Sequence, residues 1–212
     1  MPTIEQAYRF ALAPDAAQDV LLGAWAGASR FWFNQALAEV KARLDRRVAG
    51  EEVSVPWSYK ALCSEFDKEW RAERAPWQRA EGVCGSYMAA FEGLGLALKN
   101  FSEGKRRGRK IGFSQFRKKG RCVERILFQR ARPIDARYVH IDERLGPVRS
   151  KERLGKLLGR LESDPHARIL RGTVKREHGS GTSASRSVVP RSSVELADRS
   201  RPWVAMWVSR GR

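Results

Sequence analysis

Between Glu103 and Glu124 the chain carries Lys105, Arg106, Arg107, Arg109, Lys110, Arg117, Lys118, Lys119 and Arg121, nine cations with no acid among them. The chemistry open to such a run is electrostatic: it can neutralise a row of phosphates and release the counterions condensed on them. Phe113 and Phe116 interrupt the run. Aromatic faces in a basic segment either stack on nucleobases or anchor the segment to a core, and spacing alone leaves both uses open.

The whole chain carries the same bias. Its 212 residues hold 41 Lys and Arg against 24 Asp and Glu, a net charge of +17. Such a balance implies a strongly acidic partner, with nucleic acid ahead of an anionic membrane surface. No apolar run reaches the roughly 18 residues of a spanning helix, and the N-terminus has no apolar signal-peptide region. The expectation is a cytoplasmic protein without a membrane partner. Cys63, Cys84 and Cys122 are odd in number and out of CxxC spacing, and His140, His166 and His178 are scattered. Neither a disulfide framework nor a zinc site is indicated. Gly93-Leu94-Gly95 lacks the third glycine and the preceding strand of a dinucleotide fingerprint. No cofactor, metal or small-molecule substrate is expected.

The elements that must carry the basic run follow from hydrophobic period. Residues 7–13 alternate as a strand, and Pro14-Asp15 stops it and starts a helix. Val20, Leu21, Ala24, Trp25 and Ala28 share one helical face, Gly27 loosens the end of that helix, and Phe33, Leu37, Val40 and Leu44 continue the period in a second one. Two helices joined by a tight break resemble a helix-turn-helix, whose exposed cations would be Lys41, Arg43, Arg46 and Arg47. A third helix is expected over 57–74 with Ser58 as its cap, and a fourth over 78–102, where Gly82, Gly85, Gly93 and Gly95 suggest close packing. Strands are expected at 125–129, 138–142 and 167–177, as pieces of a small barrel, with a basic amphipathic helix over 150–162 that serves as a lid on it, ahead of direct nucleic-acid contact.

Taken in order, several short strings look familiar. Tyr8-Arg9-Phe10-Ala11-Leu12-Ala13-Pro14, followed by the run from Ala28 to Leu37, resembles the N-terminal signature of the TnpB/OrfB proteins of insertion sequences, RNA-guided nucleases related to type V CRISPR effectors. Ala97-Leu98-Lys99-Asn100-Phe101 precedes a basic glycine loop. Gly112 to Lys118 is similar to that family's glycine-x-proline-x-phenylalanine-lysine stretch, with Ser114 in the place of the proline. Residues 145–149 and 167–174 resemble its later barrel strands, so the likeness runs from about residue 6 to 178.

The resemblance implies an α+β fold. A helical, helix-turn-helix-like lobe at 15–102 would be inserted in an incomplete wedge-type β-barrel built from 6–14 and 122–178. A basic loop at 103–121 and an irregular or disordered tail at 179–212 would complete the chain, with the nuclease domain missing. The partners implied are DNA and a guide RNA, with base pairing reading the target and the protein reading shape and a short adjacent motif. Arg9, Arg30 and Asn34 fall on motif positions. With Lys41, Lys99 and the nine cations of the run they are the expected nucleic-acid contacts, although Arg30 and Asn34 could instead hydrogen-bond the lobe together.

The family's nuclease uses three acids to hold two metal ions. After residue 178 only Glu195 and Asp198 remain, and no catalytic residue or nuclease activity is expected. The alternatives are a stand-alone helix-turn-helix regulator and a non-functional remnant of a shifted reading frame. For the latter, Arg201 to Arg210 read one base earlier would resemble the first-acid strand of the nuclease domain.

Overall fold

A computed structural model describes residues 4–76, 84–176 and 203–211 of the chain. It divides into two compact units, one of residues 1–22 with 127–212 and one of residues 23–126.

The first unit is organised by a sheet. Strand β1 (Ile4–Ala13) pairs antiparallel along its length with β7 (Trp203–Gly211), from Ile4 opposite Gly211 to Leu12 opposite Trp203. β7 pairs on its other side with β6 (Arg168–Arg176), and Leu12 and Ala13 of β1 pair with β5 (Pro147–Ser150). With β2 (Glu124–Phe128), β3 (Arg132–Pro133) and β4 (Tyr138–His140) the order is β2-β6-β7-β1-β5-β4-β3. Alternation sets which side is covered: Val139 and Val148 are buried while their neighbours Tyr138 and Arg149 are exposed.

The returning strand β7 corrects the expectation of an irregular tail from 179 onward. Trp203, Val204, Met206, Trp207 and Val208 have strand propensity, and both edges of their backbone find ladder partners in β1 and β6. The segment 177–202 lies outside the described residues, as do Glu195 and Asp198.

The lid helix also begins later than expected. Ser150 still belongs to the sheet, and the amide of Lys151 donates to the Ala11 carbonyl at 2.8 Å, so the backbone is committed to β1 and the helix, here α5, spans only Gly155–Ser163. Leu154 and Leu157 are fully buried beneath it.

Helix α1 (Ala16–Val48) is one continuous helix, where two helices with a break at Gly27 were expected. A mid-helix glycine costs about 1 kcal/mol against alanine. Across Gly27 the helix buries Trp25, Ala26, Ala28, Trp32, Phe33, Ala36, Leu37 and Val40, and at about 1.5–3 kcal/mol for each large apolar side chain that term dominates.

The second unit is a helical core. The expected third helix is two, α2 (Tyr59–Glu65) capped by Ser58 and α3 (Lys68–Arg74) capped by Asp67, whose carboxylate accepts from the Trp70 amide at 2.9 Å. Asp67 competes with the helical backbone for that donor and starts a new helix. Phe66, at the joint, is fully buried with its ring 4.4 Å from Trp70 and 5.7 Å from Phe91. Helix α4 (Cys84–Arg106) runs four residues further than expected and takes in Lys105 and Arg106; its expected first turns at 78–83 lie outside the described residues. Its glycines admit neighbours. A Cβ on Gly95 would sit 2.8 Å from the backbone nitrogen of Tyr59, so glycine is what lets α4 lie against the start of α2.

Two glycine substitutions therefore go in opposite directions. Gly95→Ala gains helix propensity but drives a methyl into backbone, and urea unfolding is expected to report a net loss of about 1–3 kcal/mol. Gly159→Ala in α5 meets nothing within 4 Å and is expected to gain about 0.5–1 kcal/mol; equal effects from the two would refute the packing account of Gly95.

Candidate nucleic-acid interface

A segment with nine like charges cannot hold itself together, so its conformation must come from its neighbours. It does so first at its entry. Helix α4 ends in a Schellman turn: Gly108, at φ +68°, donates to the Lys105 carbonyl at 3.0 Å and Arg109 donates to the Gly104 carbonyl at 2.8 Å. Gly104 is buried under Ile111, whose Cδ1 lies where a Cβ on that glycine would be. The chain thus turns back at once, with Lys105, Arg106, Arg107, Arg109 and Lys110 left exposed. The Lys105 ammonium lies 5.7 Å from the Phe101 ring centroid.

The second hold is along one face of α1. Arg30, Asn34 and Lys41 are spaced by four and seven, which aligns them on that face. The Asn34 side chain grips the backbone of Arg117 at both polar groups: its Nδ2 donates to the Arg117 carbonyl at 3.0 Å, and the Arg117 amide donates to its Oδ1 at 2.8 Å. One turn earlier, Arg30 Nη1 meets Glu124 Oε1 at 2.6 Å, a carboxylate whose side chain is only 4% exposed. Further on, the Lys41 ammonium lies 4.5 Å from the Phe116 ring centroid and 5.9 Å from that of Phe113. Phe113 is half-buried in the helical core, 5.1 Å from Phe101 and 6.3 Å from Trp57. The loop is therefore anchored to the helical unit through Phe113, and Phe116 stays 48% exposed.

These contacts sort the expected site residues. Lys118, Lys119 and Arg121 are exposed, as are the five cations at the loop's entry. Arg117 is not one of this group: its guanidinium lies 3.6 Å from the Phe33 ring centroid and against Gly93, where a Cβ would come within 2.7 Å of Nη2. Burial, with Arg125 also opposing and Cys122 favouring the charge, lowers its pKa to about 10, which leaves it a desolvated cation at neutral pH. Arg30 and Asn34 spend their polar groups on the protein itself. Lys99 is exposed on α4, 3.7 Å from Glu103 one turn on. Arg9 belongs to the first unit, exposed on β1 opposite Met206. Burial pushes the Cys122 thiol up against the lowering pull of Arg117 and Arg30, which suits a packing residue.

The cations of a helix-turn-helix reading fare differently. Arg43 is bound to Glu65 at 2.6 Å and Glu39 at 3.0 Å. Burial works against its charge, but the hydrogen bonds to Glu65 and Glu39 outweigh it and the pKa is raised. Arg46 pairs with Glu51 at 2.7 Å. Reading the sequence missed that Phe33 carries Arg117 and that Lys41 faces Phe116. The signal was there in the shared face of Arg30, Asn34 and Lys41, had polar residues been given the same period as apolar ones.

Among the described residues no helix is long and apolar enough to cross a membrane, and no group of three or more His, Cys, Asp or Glu side chains is placed to hold a metal ion. Residues 1–47 match a family model of the OrfB proteins described as "Helix-turn-helix domain". The chain is also similar to two proteins of Mycobacterium tuberculosis, "Putative RNA-guided DNA endonuclease Rv2885c" of strain H37Rv and "Putative RNA-guided DNA endonuclease MT2953" of strain CDC 1551. Each is 29% identical over 188 residues, covering 81% of this chain and 39% of the relative, so the chain spans about two-fifths of their length.

Truncations along the seam should separate holding residues from exposed ones. Arg30→Ala strands the buried Glu124 carboxylate and is expected to cost about 3 kcal/mol in urea unfolding at pH 7. Asn34→Ala, which orphans an amide and a carbonyl, should cost about 1–3 kcal/mol and speed amide exchange at Arg117. Lys118→Ala should stay within about 0.5 kcal/mol of the parent. Should Arg30→Ala prove as mild as Lys118→Ala, the Glu124 pair does not close the loop.

Proposed function

We propose that this chain, similar over most of its length to the TnpB/OrfB proteins, is a nucleic-acid-binding protein that grips phosphate backbone through the exposed cations at 105–121. The observation that carries the reading is the pairing of opposites in that segment. Eight cations, Lys105, Arg106, Arg107, Arg109, Lys110, Lys118, Lys119 and Arg121, are exposed, while their backbone is fastened by Asn34, the Gly108 turn and Phe113. With the backbone already fastened, a docking polyphosphate has only the cations' side chains left to order, which lowers the cost of binding. The partners in this reading are DNA and a guide RNA, extended to this chain from what the names of its relatives say of them. The sheet of the first unit is read as the wedge-type barrel of such a protein, completed by β7. The proposal is of binding alone.

Binding of duplex DNA and of RNA transcribed from the gene's own locus, followed by fluorescence anisotropy, tests this. If about six phosphates are neutralised, affinity falls roughly a thousandfold between 50 and 200 mM salt. Replacing Lys118 and Lys119 together with alanine should lower the slope of log affinity against log salt by about two. A salt-insensitive chain, or a double variant indistinguishable from the parent, would overturn the proposal. Cutting of the bound DNA after addition of Mg²⁺ would overturn its restriction to binding.

A further inference from the structure

Single exposed apolar side chains are ordinary on protein surfaces, so exposure alone gives Phe116 no role. Its setting does. Three residues before it, Phe113 is sunk among Phe101 and Trp57, and directly after it both backbone polar groups of Arg117 are clasped by Asn34. The chain at Phe116 is thus fixed from both sides, and a ring 48% exposed is held at one spot on the surface. The Lys41 ammonium lies 4.5 Å from that ring's centroid, and exposed Lys118 and Lys119 follow in the chain. The core-filling use of an aromatic in this loop is already taken by Phe113.

We infer that Phe116 is a stacking platform for one unpaired nucleobase, with Lys41 set to meet the phosphate of that nucleotide. The inference rests on the nucleic-acid reading above and adds the class of ligand: a single strand, or a segment whose bases are splayed out of a helix. Every base offers a π-face, so the contact is sequence-tolerant. Bases inside a duplex are already stacked on one another, so the platform discriminates by strandedness. Lys41 adds charge at the same place, which Phe113 and Phe116 hold near their rings in the free protein.

The test compares the full chain with Phe116→Ala and Phe116→Tyr on three probes of equal phosphate count: a single-stranded oligonucleotide, a duplex, and an abasic single strand. Phe116→Ala should weaken binding of the single strand about tenfold or more and leave duplex and abasic binding unchanged, while Phe116→Tyr restores the parent's affinity. Equal losses on the abasic probe would overturn the inference, because Phe116 would then be acting only as a support for Lys41. An unchanged single-strand affinity would overturn it too. A parent chain that binds none of the probes removes the nucleic-acid reading itself, whereas one that binds all three with an indifferent Phe116→Ala variant removes only the stacking platform.

Discussion

Like charges in one short loop repel, and everything about the basic segment follows from how that repulsion is contained. Ion pairing would contain it at the expense of the charges that a polyanion is to meet. Instead the holding within the loop is done by groups without net charge, an asparagine amide, a glycine turn and a phenylalanine, and the one ion pair, Arg30 with Glu124, sits at its exit and uses none of the loop's cations. The cation drawn inward, Arg117, lies on the Phe33 ring and is itself gripped through its backbone. The outcome divides the run cleanly, with eight cations facing solvent and one spent on structure.

The two units solve the same problem of long-range attachment by different means. In the helical unit, side chains from α1 reach a loop far along the chain. In the sheet unit the backbone itself does the reaching, with β1 held between β5 and β7. Glu152 reinforces this by accepting from the Ala11 amide at 3.0 Å, beside the last rung between β1 and β5. Backbone ladders tolerate sequence change better than side-chain clasps. On this ground the helical unit depends more on particular residue types, since losing Asn34 or Gly104 removes a contact that no neighbour can replace.

Legibility from sequence followed the range of the interactions. Ser58 as a cap, Tyr8 and Phe10 on a strand, Gly93 and Gly95 of α4 as sites of close approach, and the charge of the loop are local facts, and they read correctly. The family likeness also read correctly, because short contiguous strings can carry it: a family model of the OrfB proteins matches residues 1–47, and the similarity to the two relatives covers 81% of the chain. What escaped was set by distant partners. Trp203 to Val208 carried strand propensity in plain view, but one of their two partners, β1, lies at the other end of the chain. Gly27 looked like a break because its cost is local, whereas the burial of Trp25, Trp32 and Phe33 that overrides it is tertiary. The two phenylalanines of the loop were indistinguishable by spacing, and only Trp57 and Phe101, brought together by folding, separate the buried ring from the exposed one.

The pairing of Ile4 with Gly211 has a consequence for how the molecule comes into being. A long stretch of chain lies between those two residues, so during synthesis β1 emerges well before β7, its longest partner. The helical unit, residues 23–126, is contiguous and can close while the ribosome is still translating. β1 must meanwhile wait with an unpaired edge, and such edges are where nascent chains aggregate or meet chaperones. The Lys151 and Ser150 contacts to Ala11 become available well before β7 does. They can fasten the tip of β1 before residue 203 is made.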